Sequence, residues 1–167
     1  RINRVNEVSI FKKVGLAKAG IAAWRKAAVL DPSNIEAHYG VVSFLFNAPS
    51  IVGGDPEQGV LELEVLRQLN PAYAQLVDAE IHFKAERYET AEEILDTASQ
   101  QIPDRAFPTI IQANYLYQQG KYTQALQKVA DYRQRKKAWN DPGSAQVGLM
   151  AGNIFAAVND PNRARSE

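Results

Sequence analysis

Apolar residues recur at helical spacing through most of the chain, and no alternation of apolar and polar residues is long enough to predict a β-strand. The clearest stripe lies on one face of the segment 88–98, opposite acidic residues. Such spacing is typical of an amphipathic helix that buries one face. The pattern predicts an all-α protein, with helices near residues 2–14, 17–30, 35–48, 56–69, 72–85, 88–101, 105–119, 122–138, 143–158 and from 161 onward.

Helix-start signals stand between these segments. At four predicted helix starts, a residue able to cap a helix precedes a proline: Asp55-Pro56, Asn70-Pro71, Asp141-Pro142 and Asp160-Pro161. Proline suits the first helical position, where its missing N–H costs nothing. Ser33 with Glu36 predicts a capping box for the helix that begins near residue 35.

Small or short residues recur in pairs twelve positions apart. The pairs are Val8/Gly20, Ala79/Ala91, Ala113/Ala125 and Gly152/Ala164. Val8 and Val42 are 34 residues apart, as are Ala79 and Ala113. This period predicts repeated helix hairpins, in which the small pair lets the two helices approach closely. The turns of the hairpins are expected at Gly15, Gly54, Glu86, Gly120 and Asn159.

A 34-residue helix-turn-helix repeat with this phase resembles the tetratricopeptide repeat (TPR) family. The residues that carry the resemblance are Gly15, Gly20, Trp24, Ala27 and Asp31-Pro32 in the first unit, Ala79, Tyr88, Ala91, Leu95, Ala98 and Pro103 in the third, and Ala113, Gly120, Tyr122 and Ala125 in the fourth. The chain departs from the family at its Trp place, which holds Arg4, His38, Gln75 and Thr109.

The resemblance implies a right-handed superhelical solenoid of TPR hairpins. It covers the whole chain as one array, with units of about 1–34, 35–71, 72–105 and 106–142 and an incomplete unit at 143–167. We expect the chain to be a fragment of a longer protein.

In the TPR family the first helix of each hairpin lines the concave surface. Carried onto this sequence, the resemblance implies a groove formed by Tyr39, Phe46, Leu76, Glu80, Phe83, Ile110, Asn114 and Tyr117. Such a groove holds apolar anchors of an extended peptide or helix, while short polar groups bond its backbone. For Phe46 and Phe83, packing against neighbouring repeats is the alternative. The resemblance thus predicts a non-enzymatic scaffold that binds a protein or peptide.

The segment Pro49–Asp55 interrupts the second unit, and its Gly53-Gly54 pair has two interpretations. A phosphate loop needs a following Gly-Lys-Ser/Thr and a preceding strand, and both are missing here. A tight loop capped by Asp55 fits better. The insertion is similar to one in exported bacterial TPR proteins. This similarity implies an alternative function as a periplasmic small-ligand carrier or transporter accessory, and it favours export without excluding the cytoplasm.

The sequence offers little for catalysis. It contains no cysteine and two histidines, His38 and His82, which stand in different repeats, and it has no His-x-x-x-His or Glu-x-x-His pair. A general base needs an oriented partner within hydrogen-bond reach. We therefore expect no enzymatic activity, no metal and no cofactor, and we expect both histidines to serve packing or the surface.

The positive and negative charges cancel over the whole chain, but they are grouped by sign into blocks along it. Nineteen Lys and Arg balance nineteen Asp and Glu, so no global basic field predicts nucleic-acid binding. No apolar run approaches the about 18 residues of a membrane span. Residues 1–30 and 105–166 are basic and residues 31–104 acidic. These blocks allow weak self-association, ends to middle. The basic run 133–137 either ends a helix or contacts an acidic partner.

Overall fold

The computed structural model describes residues 2–137 and 141–159, and for residues 2–11 and 13 it describes the backbone alone. In these ranges the chain is helical and contains no β-strand. The helices are α1 (Ile2–Leu30), α2 (Ile35–Asn47), α3 (Pro56–Leu69), α4 (Pro71–Lys84), α5 (Tyr88–Gln101), α6 (Phe107–Gln118), α7 (Tyr122–Gln134) and α8 (Ser144–Val158). A 3-10 turn, Ser50–Val52, lies between α2 and α3. The predicted all-α class is confirmed.

The first predicted hairpin is replaced by one continuous helix. α1 passes through Gly15, where the sequence predicted a turn between two helices. A single glycine costs a helix only about 1 kcal/mol, and the residues around it include no proline. The other boundaries are close to those predicted, although α6 begins at Phe107 and α7 ends at Gln134. The helix predicted from residue 161 lies outside the described residues.

Side-chain caps begin several of the helices. Asp55 accepts a hydrogen bond from the backbone N–H of Gln58 at 3.1 Å, as its sequence context predicted. Asn70 caps α4 by accepting from the second and third residues of the helix at 3.1 and 3.2 Å. The prediction of Ser33 as the cap of α2 is wrong. Asn34 takes that place and accepts from the N–H three residues on at 3.0 Å.

The prediction that Asp141 caps α8 is also wrong. Its carboxylate is buried, lies 3.4 Å from the guanidinium of Arg105 and accepts from the backbone N–H of Ala106 at 3.3 Å. The cap position of α8 is Gly143, whose N–H donates to the side chain of Gln146 at 3.1 Å. Asp141 thus holds the segment before α6 against the segment before α8.

The chain forms two compact units, residues 1–81 and residues 82–167, and α4 contributes to both. In the first unit α2 packs on α1 and α3. Ile21, Val41 and Leu45 form a buried cluster between α1 and α2. Arg67 of α3 makes a two-pronged ion pair with Asp78 of α4, with N–O distances of 2.9 and 3.2 Å. This pair links the two helices.

In the second unit α6 packs on α5, α7 and α8, and α7 packs on α8. Ala113 and Ala125 were predicted to let two hairpin helices approach closely. Both are fully buried in one apolar cluster, together with Val129, Tyr132 and Ile154. The prediction is confirmed for the α6–α7 hairpin.

None of the helices in the described residues is long and apolar enough to cross a membrane. The longest, α1, exposes Leu16 and Leu30, but lysines and arginines interrupt its surface.

Candidate functional site

The eight residues predicted to line the groove are divided between the two units. Tyr39, Phe46, Leu76 and Glu80 belong to the first unit, and Phe83, Ile110, Asn114 and Tyr117 belong to the second. Each group is therefore described within its own unit. In both units some of the predicted side chains are exposed enough to meet a ligand and others are buried in packing.

In the first unit, α2 and α4 bring two tyrosines and two glutamates together. We call this set the tyrosine patch: Glu36, Tyr39, Tyr73 and Glu80. The rings of Tyr39 and Tyr73 meet edge to face, with centroids 5.7 Å apart and planes at 82°. The Tyr73 hydroxyl donates a hydrogen bond to the Glu36 carboxylate at 2.5 Å. Tyr73 is buried, while the other three members are half-buried.

The electrostatics of the patch keep Tyr39 neutral. Burial raises the pKa of Tyr39 well above its ordinary value, and the negative charges of Glu80 and Glu36 raise it further. The Ser43 hydroxyl opposes this rise in part. A neutral phenol between two carboxylates can donate a hydrogen bond, and its surroundings attract positive charge.

The other two predicted residues of the first unit take part in packing. Leu76 is 1% exposed, so its side chain belongs to the core and presents almost no surface to a ligand. The ring of Phe46 lies against α3, where a Cβ built on Gly59 would come within 3.1 Å of it. The small residue on α3 makes room for this ring, which favours the packing interpretation of Phe46.

In the second unit, α6 carries Ile110, Asn114 and Tyr117 at the spacing of one helix face. All three side chains are half-buried. Ile110 and Tyr117 border the buried cluster of this unit. The Tyr117 ring also contacts Tyr122 of α7, with ring centroids 5.8 Å apart. The structure thus places the three predicted residues in one row, with Asn114 between two apolar neighbours.

Phe83 is engaged in ring stacking. Its ring lies parallel to that of Tyr115, with centroids 4.0 Å apart and planes within 9°. It also contacts Tyr88 at a centroid distance of 5.2 Å. Phe83 is only 8% exposed, so its packing interpretation is favoured.

Two further pairs of residues stand at repeat positions that face the concave surface in the TPR family, although the predicted groove did not include them. Glu36 and Tyr73 join the tyrosine patch, and their 37-residue interval equals that between Tyr39 and Leu76. On α8, Leu149 and Asn153 follow Ile110 and Asn114 after 39 residues, and both are exposed. The repeat interval thus identifies each pair from the sequence.

The Gly53-Gly54 segment forms a tight turn after α2. Gly53 has a φ of 107°, in the left-handed region that favours glycine. A Cβ on Gly54 would lie 1.7 Å from the carbonyl oxygen of Ala48, so a side chain there requires the backbone to move. These observations give both glycines a structural role.

Among the described residues, no group of three or more acidic or histidine side chains is placed to hold a metal ion. Neither the known protein-family models nor the curated protein sequences give a match to this chain. What the exposed faces bind therefore has to be inferred from their own chemistry.

Proposed function

We propose that this chain is a non-enzymatic scaffold that binds a polypeptide segment through the first helices of its hairpins, as the TPR resemblance implies. In this proposal the hairpins stack as a right-handed superhelical solenoid, and α2, α4, α6 and α8 contribute the binding surface. The observation that carries the proposal is the tyrosine patch, where aromatic rings and carboxylates lie together and three of the four residues are half-buried.

The patch suits a basic side chain of the partner. A lysine or arginine can lay its aliphatic stem on the Tyr39 ring and direct its charge toward Glu36 and Glu80. The raised pKa of Tyr39 keeps its hydroxyl protonated, so it serves as a hydrogen-bond donor and not as a base. This chemistry supports recognition more than catalysis.

The row on α6 suits the backbone and apolar side chains of the same kind of partner. The amide of Asn114 can both donate and accept, which matches a peptide group. Ile110 and Tyr117 flank it with half-buried apolar surface. Leu149 and Asn153 on α8 repeat the combination of an apolar side chain and an amide. The preferred partner segment therefore combines basic and apolar residues.

Site-directed photocrosslinking in the native cell tests the proposal. A crosslinker at position 117 should capture a polypeptide, whereas the same crosslinker at the exposed position of Gln127 on α7 should not. Adducts from position 127 alone would place the interaction on another surface, and an adduct with a small molecule alone would favour a carrier.

Affinity measurements with the captured partner follow. Asn114→Ala and Tyr39→Ala should each weaken binding by about 2 kcal/mol, because central aromatic and hydrogen-bonding groups dominate interfaces. Glu80→Gln should also weaken binding, whereas Glu93→Gln, which changes the same charge at an exposed site on α5, should not. Equal effects of the two glutamate variants would contradict the role of the tyrosine patch.

A further inference from the structure

A cavity of about 380 Å³ opens in the first unit where α1, α2 and α3 meet. Its volume lies within the about 300–1,000 Å³ typical of small-molecule sites. No residue of the tyrosine patch lines it, and it contains charged groups of both signs together with an apolar wall. The cavity is therefore a separate candidate site, and its argument does not depend on the proposed function.

The orientation of His38 within this cavity is defined by a backbone carbonyl. Its Nε2 lies 3.2 Å from the carbonyl oxygen of Pro32. A carbonyl oxygen can only accept, so Nε2 must carry the hydrogen. In the neutral imidazole the other nitrogen, Nδ1, is then an acceptor. His38 is 8% exposed, and its Nδ1 is buried without a hydrogen-bond partner in the described part of the chain.

A second acceptor faces this nitrogen. The carboxylate oxygen Oε2 of Glu62 on α3 lies 3.8 Å from Nδ1 of His38. Two acceptors cannot form a hydrogen bond with each other. Even with a proton on Nδ1, the distance between the two atoms would exceed the about 2.7–3.2 Å of a hydrogen bond. A group with several hydrogens can bond both atoms at once. An ammonium group also matches the charge of the carboxylate.

The opposite charge in the cavity comes from α1. Arg25 donates a hydrogen bond to the side-chain oxygen of Gln58 at 3.0 Å, and both residues line the cavity. A guanidinium pairs best with a carboxylate, to which it can donate two parallel hydrogen bonds. Ala28, Val29 and Val41 supply the apolar part of the lining.

We propose that this cavity binds a free α-amino acid with a medium-sized apolar side chain. The ligand ammonium donates a hydrogen bond to the carboxylate of Glu62 and, after a small shift of the His38 ring, a second one to its buried Nδ1. The ligand carboxylate pairs with Arg25, and the apolar side chain rests on Val41 and its neighbours. His38, which the sequence assigned to packing or the surface, thereby gains a binding role that depends on three helices converging.

The proposal is tested by titrating the 167-residue chain with L-leucine and monitoring binding by calorimetry and by amide NMR. We expect saturable binding at millimolar or lower concentration, with shifts around His38 and Glu62. Isocaproate lacks the ammonium and isoamylamine lacks the carboxylate. Each should bind at least about tenfold more weakly, because a charge-assisted hydrogen bond is lost.

Matched variants separate the two ends of the site. Glu62→Gln and Arg25→Gln should each weaken leucine binding about tenfold to hundredfold. Glu64→Gln and Lys26→Gln remove the same charges from exposed positions on the same helices and should bind leucine like the unmodified chain. Circular dichroism melts confirm that each variant is folded.

Three results would overturn the proposal. The first is the absence of saturable leucine binding at millimolar concentration. The second is equal binding of leucine and isocaproate, or equal affinity of Glu62→Gln and the unmodified chain. The third is a set of NMR shifts confined to the tyrosine patch, which would assign the ligand to the other site.

Discussion

At the scale of single residues, two equivalent turns use the left-handed backbone. Glu86 has a φ of 58° and Gly120 a φ of 79°, and the two residues are 34 positions apart. Glycine adopts this conformation without a Cβ clash, whereas glutamate pays about 1 kcal/mol or more for it. The turn after α4 is therefore built on a residue that is poorly suited to its backbone.

Glu86→Gly should raise the free energy of unfolding by about 0.5–1 kcal/mol, because it removes the clash at a positive φ. Urea denaturation followed by circular dichroism measures the change. Glu93→Gly is the matched control within α5 and should lower the free energy of unfolding by about 1 kcal/mol. A loss of stability in Glu86→Gly would mean that the glutamate side chain contributes more than its backbone strain costs.

The ionisation of Tyr39 makes the free energy of unfolding depend on pH in the alkaline range. Its pKa is raised in the folded state by burial and then by the charge of Glu80, relative to the ordinary value of 10.0. Below pH about 10 the phenol is neutral in both states. Above it the unfolded chain ionises first, so the free energy of unfolding should fall by up to about 1.4 kcal/mol per pH unit for this group. Burial and the charge of Asp141 raise the pKa of Tyr132, which acts in the same direction.

Tyr39→Phe should flatten the loss of stability above pH about 10, because it removes one group that ionises on unfolding. Denaturation curves at several alkaline pH values measure the slope, with the exposed Tyr88→Phe as the matched control. An unchanged slope in Tyr39→Phe would show that the Tyr39 hydroxyl ionises as readily in the folded chain as in the unfolded chain.

At the scale of helices, close approach depends on small buried residues. Ala91 and Ala125 were predicted to lie where the two helices of their hairpins approach each other, and both are completely buried. Ala125 lies in the apolar cluster between α6 and α7, where a longer side chain has no free space to enter.

Ala125→Leu should lower the free energy of unfolding by about 1–3 kcal/mol, because the added atoms force the helices apart. Thermal denaturation checks this, and Thr123→Leu at an exposed position of α7 controls for the change in helix propensity. An unchanged melting temperature in Ala125→Leu would show that the α6–α7 contact can relax.

At the scale of the whole molecule, the charge pattern governs behaviour in solution. The net charge is zero and the sequence pI is about 7.0, while the basic and acidic residues are grouped in separate blocks along the chain. Arg135 and Lys136 follow α7 and are exposed. Blocks of opposite sign attract between molecules wherever salt does not screen them.

We expect weak self-association in about 10 mM salt and its loss in about 500 mM salt, where the screening length falls to a few ångströms. Sedimentation velocity over a range of protein concentrations measures this. The double variant Arg135→Glu/Lys136→Glu should associate less at low salt. Association that persists at high salt would indicate an apolar interface instead.

The sequence by itself determined the features that depend on neighbouring residues. It predicted the helical class, the bounds of α3 and α5, and the caps Asp55 and Asn70, because periodicity and capping act over a few positions. It also located the small pair Ala113 and Ala125, because a repeat places equivalent contacts at a constant interval.

Tertiary structure alone decided how those helices pack against one another and which of their side chains are buried. A lone Gly15 signals a turn, yet α1 continues through it, because one glycine cannot end a helix that no proline or cap interrupts. Leu76 and Phe83 have the right repeat positions but are buried, since burial depends on which helix arrives opposite them. The meeting of Arg25, His38 and Glu62 carries no local signal, because it arises where three separate helices pack together.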